Sequence, residues 1–152
     1  MVATTGASAA LAGLVFVAVS INVDRILRLP GIPERALETV LLLLAVLLLS
    51  IVGLIPSQSN EALGIEVLAL ALVFGGVIGR LEHRSLPQTP QPASQVLLRI
   101  FLIVAATLPM IVGGASLLAE SGGGLYWIVA GMVFAIAGAV GNAWVLMVEI
   151  LR

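Results

Sequence analysis

Apolar residues fall in five long blocks, at about 8–27, 35–55, 60–80, 95–119 and 125–151, and most polar residues fall between them. Each block matches the ~20 residues that an α-helix needs to cross a hydrocarbon core of ~30 Å. The apolar positions cover most faces of each block and do not form a single stripe, as expected of helices in lipid. Turn signals separate the blocks. Pro30, Gly31 and Pro33 punctuate the first connection, Pro56 ends the second block, and Ser121–Gly124 divides the fourth from the fifth. Leu81–Ser94 is the one polar linker, with Pro87, Pro90 and Pro92. It reads as a stiff solvated spacer, although the spacing of Pro87 and Pro90 also suits an aromatic groove. The fold expected is all-α: a polytopic membrane protein, one bundle of five transmembrane helices over residues 1–152.

Composition agrees with the pattern. The chain is 61% hydrophobic and 10% charged, against about 25% charged in soluble domains. There is no cysteine, so disulfides and thiolate chemistry are excluded, and one histidine, His83, cannot build a multi-histidine metal site. Residues 1–23 carry no charged side chain, whereas a signal peptide opens with a positive region. The first block therefore reads as a retained span. Arg25, Arg28 and Arg35 flank the first connection, Arg80, Arg84 and Arg99 flank the third, and Arg152 is the tail. All seven then fall on one side of the membrane, and the positive-inside rule makes that side cytoplasmic. The N-terminus is expected outside and the C-terminus inside.

The third block, Asn60–Arg80, is the expected centre, because Glu66 lies within it, roughly 9 Å below the membrane surface. Ala62, Glu66, Ala69, Val73, Gly76 and Arg80 share a face, which aims Glu66 at a neighbouring helix. Two roles are open: a carboxylate that handles protons or cations, or a protonated acid satisfied by a backbone carbonyl or hydroxyl. The leucine run of the second block reads as a lipid-facing or generic packing surface. Asp24 can pair with Arg28 at i,i+4. Arg99 is expected to snorkel to the inner interface, where Asp24, Glu38, Arg99 and Glu149 form either a salt-bridged collar or independent anchors. Pro109 kinks the fourth span, with Gly113 and Gly114 beside it, as a hinge or as static packing. Gly131, Ala135, Gly138, Asn142 and Glu149 form a small and polar stripe suited to a helix interface, with Asn142 placed for an interhelical hydrogen bond.

No zinc-binding, nucleophile-elbow, phosphate-loop or EF-hand motif occurs, and no basic patch with stacking aromatics points to nucleic acid. Along Gly13–Leu27, the Arg-Ala-Leu-Glu of 35–38 and Tyr126–Arg152, the chain resembles a family of small bacterial multi-spanning membrane proteins, some labelled modulator of FtsH protease. The resemblance implies a bacterial inner-membrane protein and brings no catalytic or binding residues. The expected function is that of a non-enzymatic, cofactor-free modulator or accessory subunit, working through contacts with lipid, a second copy or another membrane protein. The alternative is a homo-oligomeric ion or proton channel, or small transporter, using Glu66, Asn142 and the charge collar. A third reading is lipid handling in a groove at Pro109.

Overall fold

In a computed structural model, residues 1–85 and 93–151 are described, and every regular element among them is a helix. The elements are α1 (Val2–Ile21), the short α2 (Val23–Ile26), α3 (Ile32–Val52), α4 (Asn60–Ser85), α5 (Ala93–Leu118) and α6 (Gly124–Leu151). All except α2 are long and apolar enough to cross a bilayer. Leu14, Phe16, Leu72, Val73, Phe101 and Trp144 are exposed around the outside of the bundle, as lipid-facing side chains are. Tyr126 and Trp127 are exposed at the start of α6, where an interfacial aromatic belt belongs.

The centre of the bundle is α3, not the third block. Of the most apolar stretch of each helix, 56% is buried in α3 but only 22% in α4 and 6% in α1. The helix packs against α1, α4 and α6. Its leucine run, expected at the lipid or in generic packing, supplies Leu42, Leu43, Val46 and Leu49 to the core. The reason is its uniformity: a helix apolar on every side can be surrounded by neighbours, because no face needs water. The other core residues are Val67, Ala71 and Ile78 of α4, Ala106, Met110 and Leu117 of α5, and Ile128, Met132, Ala135 and Ala139 of α6.

Helix boundaries shift where local chemistry overrides the apolar pattern. The first span is expected at 8–27 but α1 ends at Ile21. Asn22 breaks it, with φ −109° and ψ 15° and its Nδ2 donating to the Ala18 carbonyl at 2.9 Å. The hydroxyls of Thr5 and Ser8 turn back on the carbonyls of Met1, Thr4 and Thr5, so α1 extends to Val2 without unmet polar groups. Gly31, at φ 78°, turns the chain into α3, which carries Pro33 in its first turn. Leu81–Ser85, expected in the linker, continue α4 because the first proline is Pro87. Ala93 and Ser94, also assigned to the linker, begin α5. Residues 86–92, with the three linker prolines, lie outside the described residues.

Helix packing defines two ends. At one, the start of α3, the end of α4 and the start of α5 meet around Arg99. This arginine end also receives α2, through a small cluster of Ile26, Ile32, Ala36 and Leu146. At the far end, Met1 packs beside Gly53. There α5 also runs backbone to backbone against two neighbours. An added Cβ at Gly113 would lie 2.9 Å from the Gly124 carbonyl oxygen, and one at Gly114 would lie 3.0 Å from that of Gly64. Adjacent residues on a helix point about 100° apart, so this pair lets α5 approach α6 with one residue and α4 with the next.

Candidate functional site

The arginine end carries the most unusual chemistry of the bundle. Arg99 Nη2 lies 2.5 Å from Glu82 Oε2 and 3.2 Å from Glu38 Oε2, to which it donates a hydrogen bond. Three helices contribute, and all three groups are buried: Glu38 is 3% exposed, Glu82 6% and Arg99 9%. Arg35, one turn before Glu38, is buried as well, and Thr39 donates to its carbonyl at 2.8 Å. Arg99 Nε is buried with no hydrogen-bond partner among the described residues.

The side chains reach this site because each continues the buried stripe of its helix. Val67, Ala71 and Ile78 are core positions of α4, and the same three-and-four spacing arrives at Glu82. On α5 the stripe of Leu117, Met110 and Ala106 runs back through Ile103 to Arg99. The expectation that Arg99 snorkels outward is therefore corrected. Its register points it inward, and two carboxylates compensate its charge. Burying ions is costly unless opposite charges and hydrogen bonds satisfy them, so this cluster has to be assembled as a unit.

A crevice beside Arg99 is lined by Glu38 and Leu42 of α3, Arg99, Leu102 and Ile103 of α5, and Phe134, Gly138 and Asn142 of α6. It encloses about 250 Å³ of space open in part to the surroundings. Phe134 stacks edge-on against Phe101 outside it, with ring centroids 6.5 Å apart. Glu38, Arg99, Asn142 and Gly138, singled out from the sequence, thus come together. Asn142 contributes its amide as part of the crevice wall; its side chain makes no hydrogen bond to a described residue.

Other candidates stand apart. Asp24 is exposed on α2 and forms no ion pair with Arg28 among the described residues, since α2 ends at Ile26 and the i,i+4 geometry lapses. The collar is thus replaced by a buried triad with Glu82 in place of Asp24. The Glu149 side chain lies outside the described residues. Glu66 is half-buried near the far end of α4, where Gln58 of the α3–α4 connection donates to its Oε2. Sixteen residues separate it from Glu82, ~24 Å along the helix, so Glu66 belongs to a different region. Its expected aim at a neighbouring helix is met by a loop residue instead. Gly131 faces Met110 and the Ala106 carbonyl, where an added Cβ would fall 2.6 and 2.9 Å away, whereas Gly138 has ordinary room at 3.7 Å. Pro109 lies within α5, which continues as one helix on both sides of it.

The residue that sequence reasoning missed is Glu82. It was grouped with the polar linker, although the core spacing of α4 runs directly into it. Among the described residues, no three His, Asp or Glu side chains are placed to hold a metal ion. Comparison of the chain with protein-family models, curated proteins and solved structures finds no match. Functional argument therefore rests on the chain's own geometry.

Proposed function

We propose that the chain is a non-enzymatic integral protein of a bacterial inner membrane that modulates or completes a membrane complex through lateral helix contacts. The observation that carries this reading is the position of α1. It is a full-length span, yet 6% of its most apolar stretch is buried, and α3 is its main partner among the long helices. Gly6 and Gly13, a heptad apart, face open space, with no atom within 4 Å of an added Cβ at either. Small residues on a helix surface let another helix approach closely. The arginines support an orientation with the arginine end in the cytoplasm.

The test is native mass spectrometry of the protein released from its own membrane with lipid retained, for the wild type and for Gly6→Leu/Gly13→Leu. A foreign chain bound to the wild type and lost from the variant, with thermal unfolding unchanged, is the expected result. Ion flux by the pure protein in liposomes counts against the proposal.

A second reading, a homo-oligomeric proton or cation pathway, is favoured by the triad at Arg99, because ionisable groups within spans mark ion and proton routes more often than they serve packing. A symmetric homo-oligomer in the same spectra, with flux lost in Glu38→Gln, supports it. Unchanged flux removes the triad from the route.

A further inference from the structure

We infer that Glu38 and Glu82 form a proton-binding site whose resident cation is the Arg99 guanidinium, and that proton and guanidinium exchange there. Two carboxylates, on α3 and α4, are held by a single nitrogen, Arg99 Nη2, at 3.2 and 2.5 Å. A group that brings two carboxylates to one point of positive charge offers a proton the same position. The exchange leaves the buried charge unchanged: one proton enters as one guanidinium leaves, and both carry a single positive charge.

The way in which Arg99 is held makes it replaceable. A guanidinium has five N–H donors and is most firmly fixed by a two-pronged grip on one carboxylate. Arg99 instead meets both acids through Nη2, and its Nε is buried without a partner among the described residues. Its residue is more than nine-tenths buried and lines the crevice shared with Asn142. The amide of Asn142 offers both a donor and an acceptor to whichever carboxyl carries the proton. The route out is short, since Arg99 lies six residues into α5 and Glu82 three residues from the end of α4. A long arginine stem can carry its charge to the surface over that distance.

The other charged groups around the site are accounted for. On α3, Arg35 is buried and engaged within the bundle, and Glu34 is half-buried in the first turn. On α4, Arg80, His83 and Arg84 are exposed. On α6 the described polar neighbour is Asn142. Arg35 stays with its own helix, so Arg99 is the cation free to move, and α5 moves with it relative to α3 and α4. Exchange at the triad requires no transport and is independent of the α1 surface.

The test uses the full chain in lipid nanodiscs, with ¹³C-labelled carboxyls followed by difference infrared spectroscopy and ¹⁵N-labelled arginine followed by NMR. Arg99→Gln at neutral pH is expected to gain about one protonated carboxyl per chain, and Glu38→Gln/Glu82→Gln/Arg99→Gln to lose it. The wild type is expected to gain the same band on acidification, with the Arg99 guanidine resonance moving at the same midpoint. A folded Arg99→Gln with no protonated carboxyl overturns the inference. If that variant does not fold, the wild-type titration decides. A carboxyl band that rises while Arg99 stays still, or that is unchanged in Glu38→Gln, is equally fatal.

Discussion

Gly114→Ala isolates the contribution of backbone contact between α4 and α5. The added Cβ would lie 2.7 Å from Leu68 Cγ, 3.0 Å from the Gly64 carbonyl oxygen and 3.1 Å from Leu68 N. Non-bonded carbon atoms rest about 3.5–4.0 Å apart. The leucine side chain can shift, but the main-chain oxygen and nitrogen move only if the two helices separate, by ~0.5 Å. Overpacking of this kind costs about 1–3 kcal/mol. Alanine also gains up to ~1 kcal/mol of helix propensity over glycine, which would mask part of the strain. Gly76→Ala supplies the control: it is also a helix-interior glycine, and no atom lies within 4 Å of its added Cβ. The propensity term is common to both, so the difference between them is packing alone. Gly114→Ala should be less stable than Gly76→Ala by about 1–3 kcal/mol, measured by steric-trapping unfolding in bicelles. Equal stability within about 0.5 kcal/mol would falsify the backbone-contact argument.

Arg99→Met leaves Glu38 and Glu82 buried without the guanidinium and should cost about 3–5 kcal/mol in the same assay at neutral pH. Glu38→Leu/Glu82→Leu/Arg99→Met should recover most of that loss, because replacing the whole ion cluster with apolar groups is close to neutral; a triple variant as unstable as Arg99→Met refutes this. Gln58→Ala removes the donor to Glu66 and should cost about 0.5–1.5 kcal/mol. Pairing it with Glu66→Ala in a double-mutant cycle should give a coupling of similar size, and a coupling near zero would mean that the contact adds no stability.

The number of spans, their approximate limits and the gathering of arginines at one end are all legible from runs of apolar residues and turn chemistry. The order of packing is not. Lipid and protein interior are equally apolar, so composition cannot separate a surrounded helix from an exposed one. That is why the leucines of α3 gave no sign that they form the centre, and why Glu66 drew attention to α4. Glu38, Arg99 and Asn142 were recognisable as costly groups in a span, but their mutual contact depends on helix order. Glu82 was within reach of periodicity, because the buried positions of α4 lead into it. The break at Asn22 came from a side-chain hydrogen bond back to Ala18, a local competition that an apolar average conceals.

The position of α1 sets a last expectation, which joins stability to function. The fourteen buried residues of the main core come from α3, α4, α5 and α6, and none comes from α1. In lipid no hydrophobic force drives helices together, so a helix is held by its packing contacts and polar bonds. Those of α1 are few: Leu11, Ala12 and Val15 pack against the core, and the buried Ser8 bonds to its own helix. At its glycines nothing approaches as closely as α4, α5 and α6 approach one another at Gly64, Gly114, Gly113 and Gly124. A chain of residues 23–152 should therefore keep the four-helix core, with its unfolding free energy lowered by no more than about 1–2 kcal/mol. A separate peptide of residues 1–22 should bind it weakly and reversibly in bicelles, as read by fluorescence transfer. Collapse of the 23–152 chain would make α1 part of the folding core and remove it as a detachable docking helix. Retention of the core would leave α1 able to exchange α3 for a helix of another protein, the behaviour that a modulator acting from within the membrane requires.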